Sequence, residues 1–82
     1  MHFTKHTEVK YMLDKRKVRI ARVEKDWSVS RLANESGINR KTISEIEKGI
    51  KERVRSSTVE LLAYSLGKDI RDLCSQVENT PK

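Results

Sequence analysis

The sequence contains a single cysteine, and its uncharged stretches are short. Cys74 has no second cysteine to pair with, so no disulfide can form within the chain and a reducing compartment is expected. The longest stretch without a charged residue is residues 61–67, whereas a membrane-spanning helix needs about 20 apolar residues. The N-terminus also lacks the apolar core of a signal peptide. These features predict a cytoplasmic protein that does not enter a membrane.

Aromatic residues and histidines are also scarce. Helices that lie on a membrane surface usually carry aromatics on their apolar face, and the whole chain has four aromatic residues. The histidines are His2 and His6, whose spacing suits one turn of helix, but a metal site needs more ligands. No glycine-rich phosphate loop and no grouping of Ser, His and Asp typical of a hydrolase occurs in the sequence. We therefore expect neither an enzyme, nor a metal site, nor a cofactor.

What the sequence has in abundance is charge, and the charge is unevenly distributed. Of the 82 residues, 37% are charged and 35% are hydrophobic, a composition that suits one domain of short helices around a small core. The net charge of +6 divides into +5 over residues 1–25, −1 over 26–35, +3 over 36–55 and −1 over 56–82. If both basic blocks lie on one face, they form a surface that attracts phosphate; the alternative is a basic surface that serves only solubility.

Helix start and stop signals predict an all-α fold of about five short helices. The first begins after Thr7 or after Asp14, both of which are good N-caps, and runs to about residue 25. Ser28 caps the second, over residues 29–35, and Gly37 ends it. Asn39 caps the third, over residues 40–48. Two short helices separated by a glycine turn have the spacing of a helix-turn-helix.

The remainder of the chain is predicted to hold a loop and two more helices. Residues 50–57 are polar and basic, and they are expected to form a loop. The fourth helix follows Ser56 or Ser57, and the fifth follows Asp69, with residue 77 turned inward. We divide the chain into an N-terminal arm or helix extension (residues 1–13), a folded domain (14–77) and a flexible tail (78–82).

Two blocks of spaced residues carry a resemblance to a known family. The first is Ser28-x3-Leu32-Ala33-x3-Gly37-Ile38-Asn39-Arg40-Lys41-Thr42-Ile43-Ser44-x-Ile46-Glu47-Lys48-Gly49, and the second is Leu62-Ala63-x2-Leu66-Gly67 followed by Asp69-x3-Leu73. In this order and spacing, residues 18–73 resemble the Cro/C1-type (Xre-family) helix-turn-helix domain of phage repressors and bacterial regulators. The resemblance implies a lambda-repressor-like bundle with its helix-turn-helix at the second and third helices. It also implies a regulator of transcription, with a repressor as the first expectation.

The resemblance assigns roles to individual residues. The residues expected to contact bases are Arg40, Lys41, Ser44 and Glu45; for Glu45 an ion pair along the helix or simple solvent exposure is the alternative. The residues expected to contact the DNA backbone are Ser28, Ser30, Asn39, Thr42, Lys48, Lys51, Arg53 and Arg55. Arg22 and Glu47 are expected to form a buried ion pair. The cations of the 50–57 loop have a second interpretation, as a solvated loop. The basic residues Lys15, Arg16, Lys17 and Arg19 are further candidates for backbone contact; the alternative is that the N-terminal arm enters a minor groove.

The sequence departs from the family pattern at three places. Val29 replaces a glutamine that usually contacts phosphate, and Trp27 replaces a leucine and is expected to lie in the core. The loop after Gly49 is longer than usual. We expect a homodimer formed through the fifth helix and the tail, which binds a pseudo-palindromic operator in double-stranded DNA. The alternative is an antitoxin or accessory protein that also binds a protein partner through its C-terminal third or its N-terminal extension.

Overall fold

The computed structural model describes residues 9–75, which form five helices and one pair of short strands. The helices are α1 Lys15–Glu24, α2 Val29–Ser36, α3 Arg40–Glu47, α4 Ser56–Leu66 and α5 Ile70–Leu73, and the strands are β1 Lys10–Met12 and β2 Arg53–Arg55. The mostly helical bundle agrees with the sequence analysis. The strand pair was not expected, and the predictions for residue 77 and for the tail lie outside the described residues.

The first helix begins at the second of the two expected positions. The Asp14 carboxylate accepts hydrogen bonds from the backbone N–H groups of Arg16 (2.9 Å) and Lys17 (3.3 Å), which satisfies donors that have no partner within the helix. The alternative start after Thr7 is wrong, because β1 occupies residues 10–12. The helix ends where Asp26 adopts a left-handed conformation, with a φ of 60°.

The turn between α2 and α3 is built by short-range contacts. Ser28 caps α2 by accepting from the N–H of Arg31 (3.0 Å). At the other end, Gly37 has a φ of 76°, a conformation that disfavours any residue with a side chain. The buried Ser36 hydroxyl donates to the carbonyl of Leu32 (2.7 Å) and accepts from the N–H of Ile38 (3.2 Å). These contacts end α2 and hold the backbone of the turn that leads into α3.

The loop predicted over residues 50–57 is partly wrong, because residues 53–55 form β2. This strand pairs antiparallel with β1, so that Tyr11 lies opposite Val54. Val54 is buried, and Tyr11 packs against the core, whereas their neighbours on both strands are exposed. The alternation is the period of two that a strand with one buried face requires. Burial of this apolar pair explains why both segments extend.

Strand β1 has a second neighbour on its opposite edge. Leu13 forms an antiparallel bridge with Cys74, and Ser75 N–H donates to the carbonyl of Met12 (2.9 Å). The N–H of Asp14 donates in turn to the carbonyl of Leu73 (2.9 Å). The segment that precedes α1 therefore joins the end of α5 to the connection between α3 and α4.

The core is formed by apolar residues from every helix and from both extended segments. Its members are Leu13, Val18, Ala21, Leu32, Ile38, Ile43, Ile46, Val54, Val59, Leu62, Ala63, Leu66 and Leu73. Trp27 is half-buried at the edge of this core rather than inside it, and the cationic groups of Lys25 and Arg31 lie 4.8 and 5.1 Å from its ring centroid. Helix α4 begins at Ser56 without a side-chain cap, so neither Ser56 nor Ser57 has the capping role expected of it.

Candidate nucleic-acid interface

Helix α3 has one apolar side and one polar side. Ile43 and Ile46 are fully buried and attach the helix to the core, whereas Arg40 and Lys41 are exposed. The polar side faces an open groove whose lining consists of Asn39, Arg40, Lys41, Ser44, Glu45, Lys48 and Ile50. All four residues expected to contact bases therefore lie on one surface. A helix presented in this way fits the major groove of B-DNA, which is wide enough to admit it.

The other residues at the start of α2 and α3 are only partly available for DNA contact. The Asn39 side-chain oxygen accepts from the N–H of Lys41 (2.8 Å), which leaves its amide N–H groups as donors. The Ser28 oxygen accepts a capping bond, but its hydroxyl hydrogen can still donate to a phosphate. Ser30 is exposed one position into the helix. Val29, which stands where the family has glutamine, packs against the core and provides no polar contact.

Arg22 and Glu47 form the ion pair that the resemblance implied. Two N–H groups of the Arg22 guanidinium donate to the two oxygens of Glu47, at 2.7 and 2.8 Å, and a third donates to the carbonyl of Trp27 at 2.7 Å. The side chains are only 12% and 8% exposed. The hydrogen bonding that Arg22 donates to Glu47 raises the pKa of Arg22; burial opposes this with a smaller effect, and the charge of Glu47 raises the pKa further. The pair therefore joins α1, the turn before α2 and the end of α3.

One cationic edge beside α3 is formed by α1. Lys15, Arg16 and Arg19 line a groove together with Glu47 and Lys48. The carboxylate of Glu47 is already bound by Arg22, so four cations dominate the potential of this groove. Lys15 also lies over Gly49, where an added Cβ would come within 3.0 Å of its Cδ. Lys17 belongs elsewhere: its Nζ donates to the carbonyl of Cys74 (3.1 Å), and it lines a groove between α1 and α5.

A second cationic edge lies on the other side of α3 and is formed by the strand pair. Its groove is lined by Lys10, Thr42, Lys51, Arg53, Val54, Arg55 and Thr58. Three of these cations were expected to contact the DNA backbone, and the structure brings them together with Thr42 from α3. Helix α3 is thus flanked by positive charge on both sides, as phosphates on the two borders of a major groove would require.

Two residues of this surface were missed by the sequence analysis. Lys10 comes from the N-terminal segment, and only the pairing of β1 with β2 brings it beside α3. Ile50 is 70% exposed and lines the same groove as the base-contacting candidates. Its placement directly after the glycine that ends α3 was a signal that could have identified it. A large apolar side chain in this position can contact the methyl group of thymine.

Other kinds of site have little support in the described part of the chain. Within residues 9–75, no three His, Cys, Asp or Glu side chains are grouped so that they could hold a metal ion. No helix in that range is both long and apolar enough to cross a membrane. His2 and His6 lie outside the described residues.

Comparison with known proteins assigns the geometry to a family. The helix-turn-helix family model matches residues 18–73, and a search of curated proteins returned no match. Among solved structures, the chain is similar to SinR, a master regulator for biofilm formation, in complex with DNA (22% identity, TM-score 0.70, 72% of this chain and 97% of that chain covered). It is also similar to the restriction-modification controller protein C.AhdI from Aeromonas hydrophila (28% identity, TM-score 0.66, 71% and 86% covered). A third similar structure is the hypothetical transcription factor NHTF from Neisseria (26% identity, TM-score 0.63, 87% and 90% covered). Because the family model extends over more than half of the sequence, this chain belongs to the Cro/C1-type helix-turn-helix family of DNA-binding transcriptional regulators.

Proposed function

We propose that the chain is a sequence-specific repressor that reads the major groove of double-stranded DNA with α3. The observation that carries this proposal is the arrangement of α3 between two cationic edges. Its apolar side is held by Ile43 and Ile46, so the polar residues of the opposite side are not needed for the core. Side chains of this kind serve to recognise a partner, and a polyanion is the partner that the two basic edges fit.

The base contacts follow from the chemistry of the groove-lining side chains. Arg40 and Lys41 carry donors that suit the O6 and N7 acceptors of guanine, and Glu45 is an acceptor that suits the N4 amino group of cytosine. Ser44 can donate or accept. A correct bidentate contact contributes about 1–3 kcal/mol of discrimination against the wrong base. We therefore assign base reading to these four residues, with Arg40 and Lys41 contributing most.

The backbone contacts hold α3 in register. We assign them to the hydroxyl, amide and cationic groups at the ends of α2 and α3 and on the connection to α4: Ser28, Ser30, Asn39, Thr42, Lys48, Lys51, Arg53 and Arg55. Such contacts carry no sequence information but fix the orientation of the protein on the duplex. They also make the affinity depend steeply on salt, because each neutralised phosphate releases counterions.

The active species is proposed to be a homodimer that forms through the C-terminal helix. In α5, Leu73 is fully buried and Ile70 is half-buried, which leaves little apolar surface on that helix itself. The adjoining helix α4 exposes Leu61 (48%) and Tyr64 (87%), and these side chains extend the proposed interface. Two-fold symmetry then requires an operator with half-sites about 10 bp apart. Light scattering that detects only monomer, together with tight binding of a single half-site, would refute the dimer.

The proposal is tested by selecting bound duplexes from a random pool at a stated salt concentration. We expect a pseudo-palindromic consensus, and repeating the selection with Arg40→Ala should relax the preference at one position of each half-site. Lys25→Ala is the control, because it removes one positive charge at the exposed end of α1, at a residue that does not line the groove of α3. A pool that shows no enrichment would exclude sequence-specific binding. Placing the selected site across a promoter then tests repression, since a repressor should lower reporter expression.

A further inference from the structure

Strand β1 adds a cation to the surface beside α3 that the helix-turn-helix itself does not supply. Among residues 9–75, four cationic side chains and no carboxylate line the groove between the strand pair and α3. The hydroxyl groups of Thr42 and Thr58 also line it. Of these four described cations, Lys10 comes from the N-terminal segment. Four cations and two hydroxyl donors around one groove form a chemical environment that suits a phosphate group.

The register of the strands concentrates this charge on the outer face. Lys10 lies opposite Arg55, and Met12 lies opposite Arg53. The bonds from Ser56 N–H to the Val9 carbonyl and from Leu13 N–H to the Glu52 carbonyl, both 2.9 Å, place these two pairs at the non-hydrogen-bonded positions of the ladder. At such positions the Cα atoms are only about 4.5 Å apart.

Lys10 is also held at a defined position relative to α3. On one edge β1 is bonded to β2, and on the other it is bonded to the segment after α5. Beneath it, Tyr11 and Val54 anchor the pair on the core. A cation on a backbone fixed from both sides loses less conformational entropy on binding than one on a free arm.

We infer that the strand pair is a DNA-backbone-binding element, in which Lys10 of β1 contacts a phosphate in the groove it shares with Thr42 of α3. This inference rests on the proposed function, because it takes DNA as the partner that α3 reads. It extends the DNA-binding surface beyond the helix-turn-helix to a strand that precedes α1. The contact is independent of sequence and adds affinity rather than discrimination.

The test needs no knowledge of the operator. The probe is a fluorescein-labelled 30-bp duplex of random sequence, and binding is measured by anisotropy between 50 and 200 mM salt. Removal of one phosphate contact reduces the steepness of the plot of log K against log salt by about 0.9. Raising the salt from 50 to 200 mM should therefore weaken binding by Lys10→Gln by a factor that is about 3.5 times smaller than the factor for the parent chain. Lys10→Arg should keep the parent slope. Lys25→Gln, which removes the same charge from the exposed end of α1, outside the groove of the strand pair, should also keep it.

Thermal unfolding separates this contact from a structural role. Lys10 is exposed on β1, and a substitution at an exposed site usually changes stability by no more than about 0.5 kcal/mol. The Tm of Lys10→Gln should therefore stay close to that of the parent, and a clearly lower Tm would indicate a structural role for Lys10. Binding is measured well below both Tm values, so that both chains are folded at every salt concentration.

The possible failures are distinguishable. If the parent chain binds the duplex and Arg53→Gln reduces the slope while Lys10→Gln does not, β1 lies outside the interface and the inference is overturned. The proposed function survives that result. If the parent chain binds no duplex at all, the proposed function itself fails, and the inference fails with it.

Discussion

Replacing Glu47 with alanine tests most directly how this small domain holds α3 in place. The substitution leaves the Arg22 guanidinium at a site where its side chain is only 12% exposed, still donating to the carbonyl of Trp27 but without a carboxylate partner. Breaking a buried ion pair on one side typically costs about 3–5 kcal/mol, mainly because the other charge stays buried without compensation. For a domain of this size each kcal/mol lowers the Tm by about 4–8 °C, so we expect a decrease of at least about 12 °C.

A matched control is available on α2, where the same two residue types form an exposed pair. Arg31 and Glu35 lie 2.9 Å apart, and their side chains are 54% and 42% exposed. Exposed pairs of this kind contribute about 0.3–0.5 kcal/mol. Glu35→Ala should therefore lower the Tm by only about 1–4 °C. Circular dichroism at 222 nm records both melts under the same conditions.

The physical cause is tested by replacing both partners. In Arg22→Met/Glu47→Leu no charge remains buried, and apolar replacements of buried pairs are often neutral or stabilising. The double variant should therefore melt above Glu47→Ala. If Glu47→Ala melts as Glu35→Ala does, the reasoning from burial is refuted. If the double variant is less stable than Glu47→Ala, the pair itself is stabilising and the explanation by an uncompensated charge is wrong.

Three further predictions concern single side chains. Thymine has a methyl group that uracil lacks, and Ile50 offers an apolar contact to it. The parent chain should therefore bind a selected site with thymine more tightly than the same site with uracil in competition anisotropy, and Ile50→Ala should abolish this difference. An unchanged difference would exclude a contact between Ile50 and the methyl group. Ser36→Ala should lower the free energy of unfolding in urea by about 1–3 kcal/mol, since it leaves the N–H of Ile38 without the Ser36 oxygen as acceptor, and Ser57→Ala on the exposed start of α4 is its control. Burial raises the pKa of the Cys74 thiol, so the thiol's contribution to stability is fully present below its unfolded pKa and is lost as the pH rises through the folded value. Iodoacetamide at pH 8 should accordingly label Cys74 more slowly in the native chain than in urea, and equal rates would contradict this.

The helices could be predicted from the sequence because their signals are local. Ser28 and Asn39 each accept a hydrogen bond from a backbone N–H two or three residues ahead, and Gly37 supplies a left-handed turn. Interactions over such short distances along the chain can be predicted from the identities of neighbouring residues. Helix α1 was ambiguous because two caps, Thr7 and Asp14, were equally plausible by the same local rule.

The strand pair could not be predicted because its partners are far apart in the sequence. Residues 10–12 pair with residues 53–55, and each strand is too short to show an alternating pattern by itself. Val54 was included in the loop expected over residues 50–57, because the residue that lies opposite it, Tyr11, belongs to another part of the chain. Long-range pairing of this kind depends on the whole fold and leaves no local signal.

The same distinction applies to the candidate site. Arg40, Lys41, Ser44 and Glu45 were identified together because a helix places them on one face by its own period. Lys17 was grouped with Lys15, Arg16 and Arg19 as a candidate for backbone contact, but its side chain donates to the carbonyl of Cys74 instead of lining their groove. That acceptor comes from the opposite end of the chain, and nothing near Lys17 in the sequence indicates it.

The stability of the core and the position of α3 both depend on the guanidinium of Arg22. Arg22 leaves α1 and binds both the carboxylate at the end of α3 and the carbonyl that precedes α2. Helix α1 also carries Lys15, Arg16 and Arg19, the cations of one edge. A rotation of α3 against α1 would therefore break the ion pair and shift the side chains that we propose to read bases relative to the edge that we propose to bind phosphate. Because an ion pair adds little net stability over apolar residues of similar volume, its value here lies in the fixed geometry. The double variant should consequently keep its fold but bind the selected site less tightly.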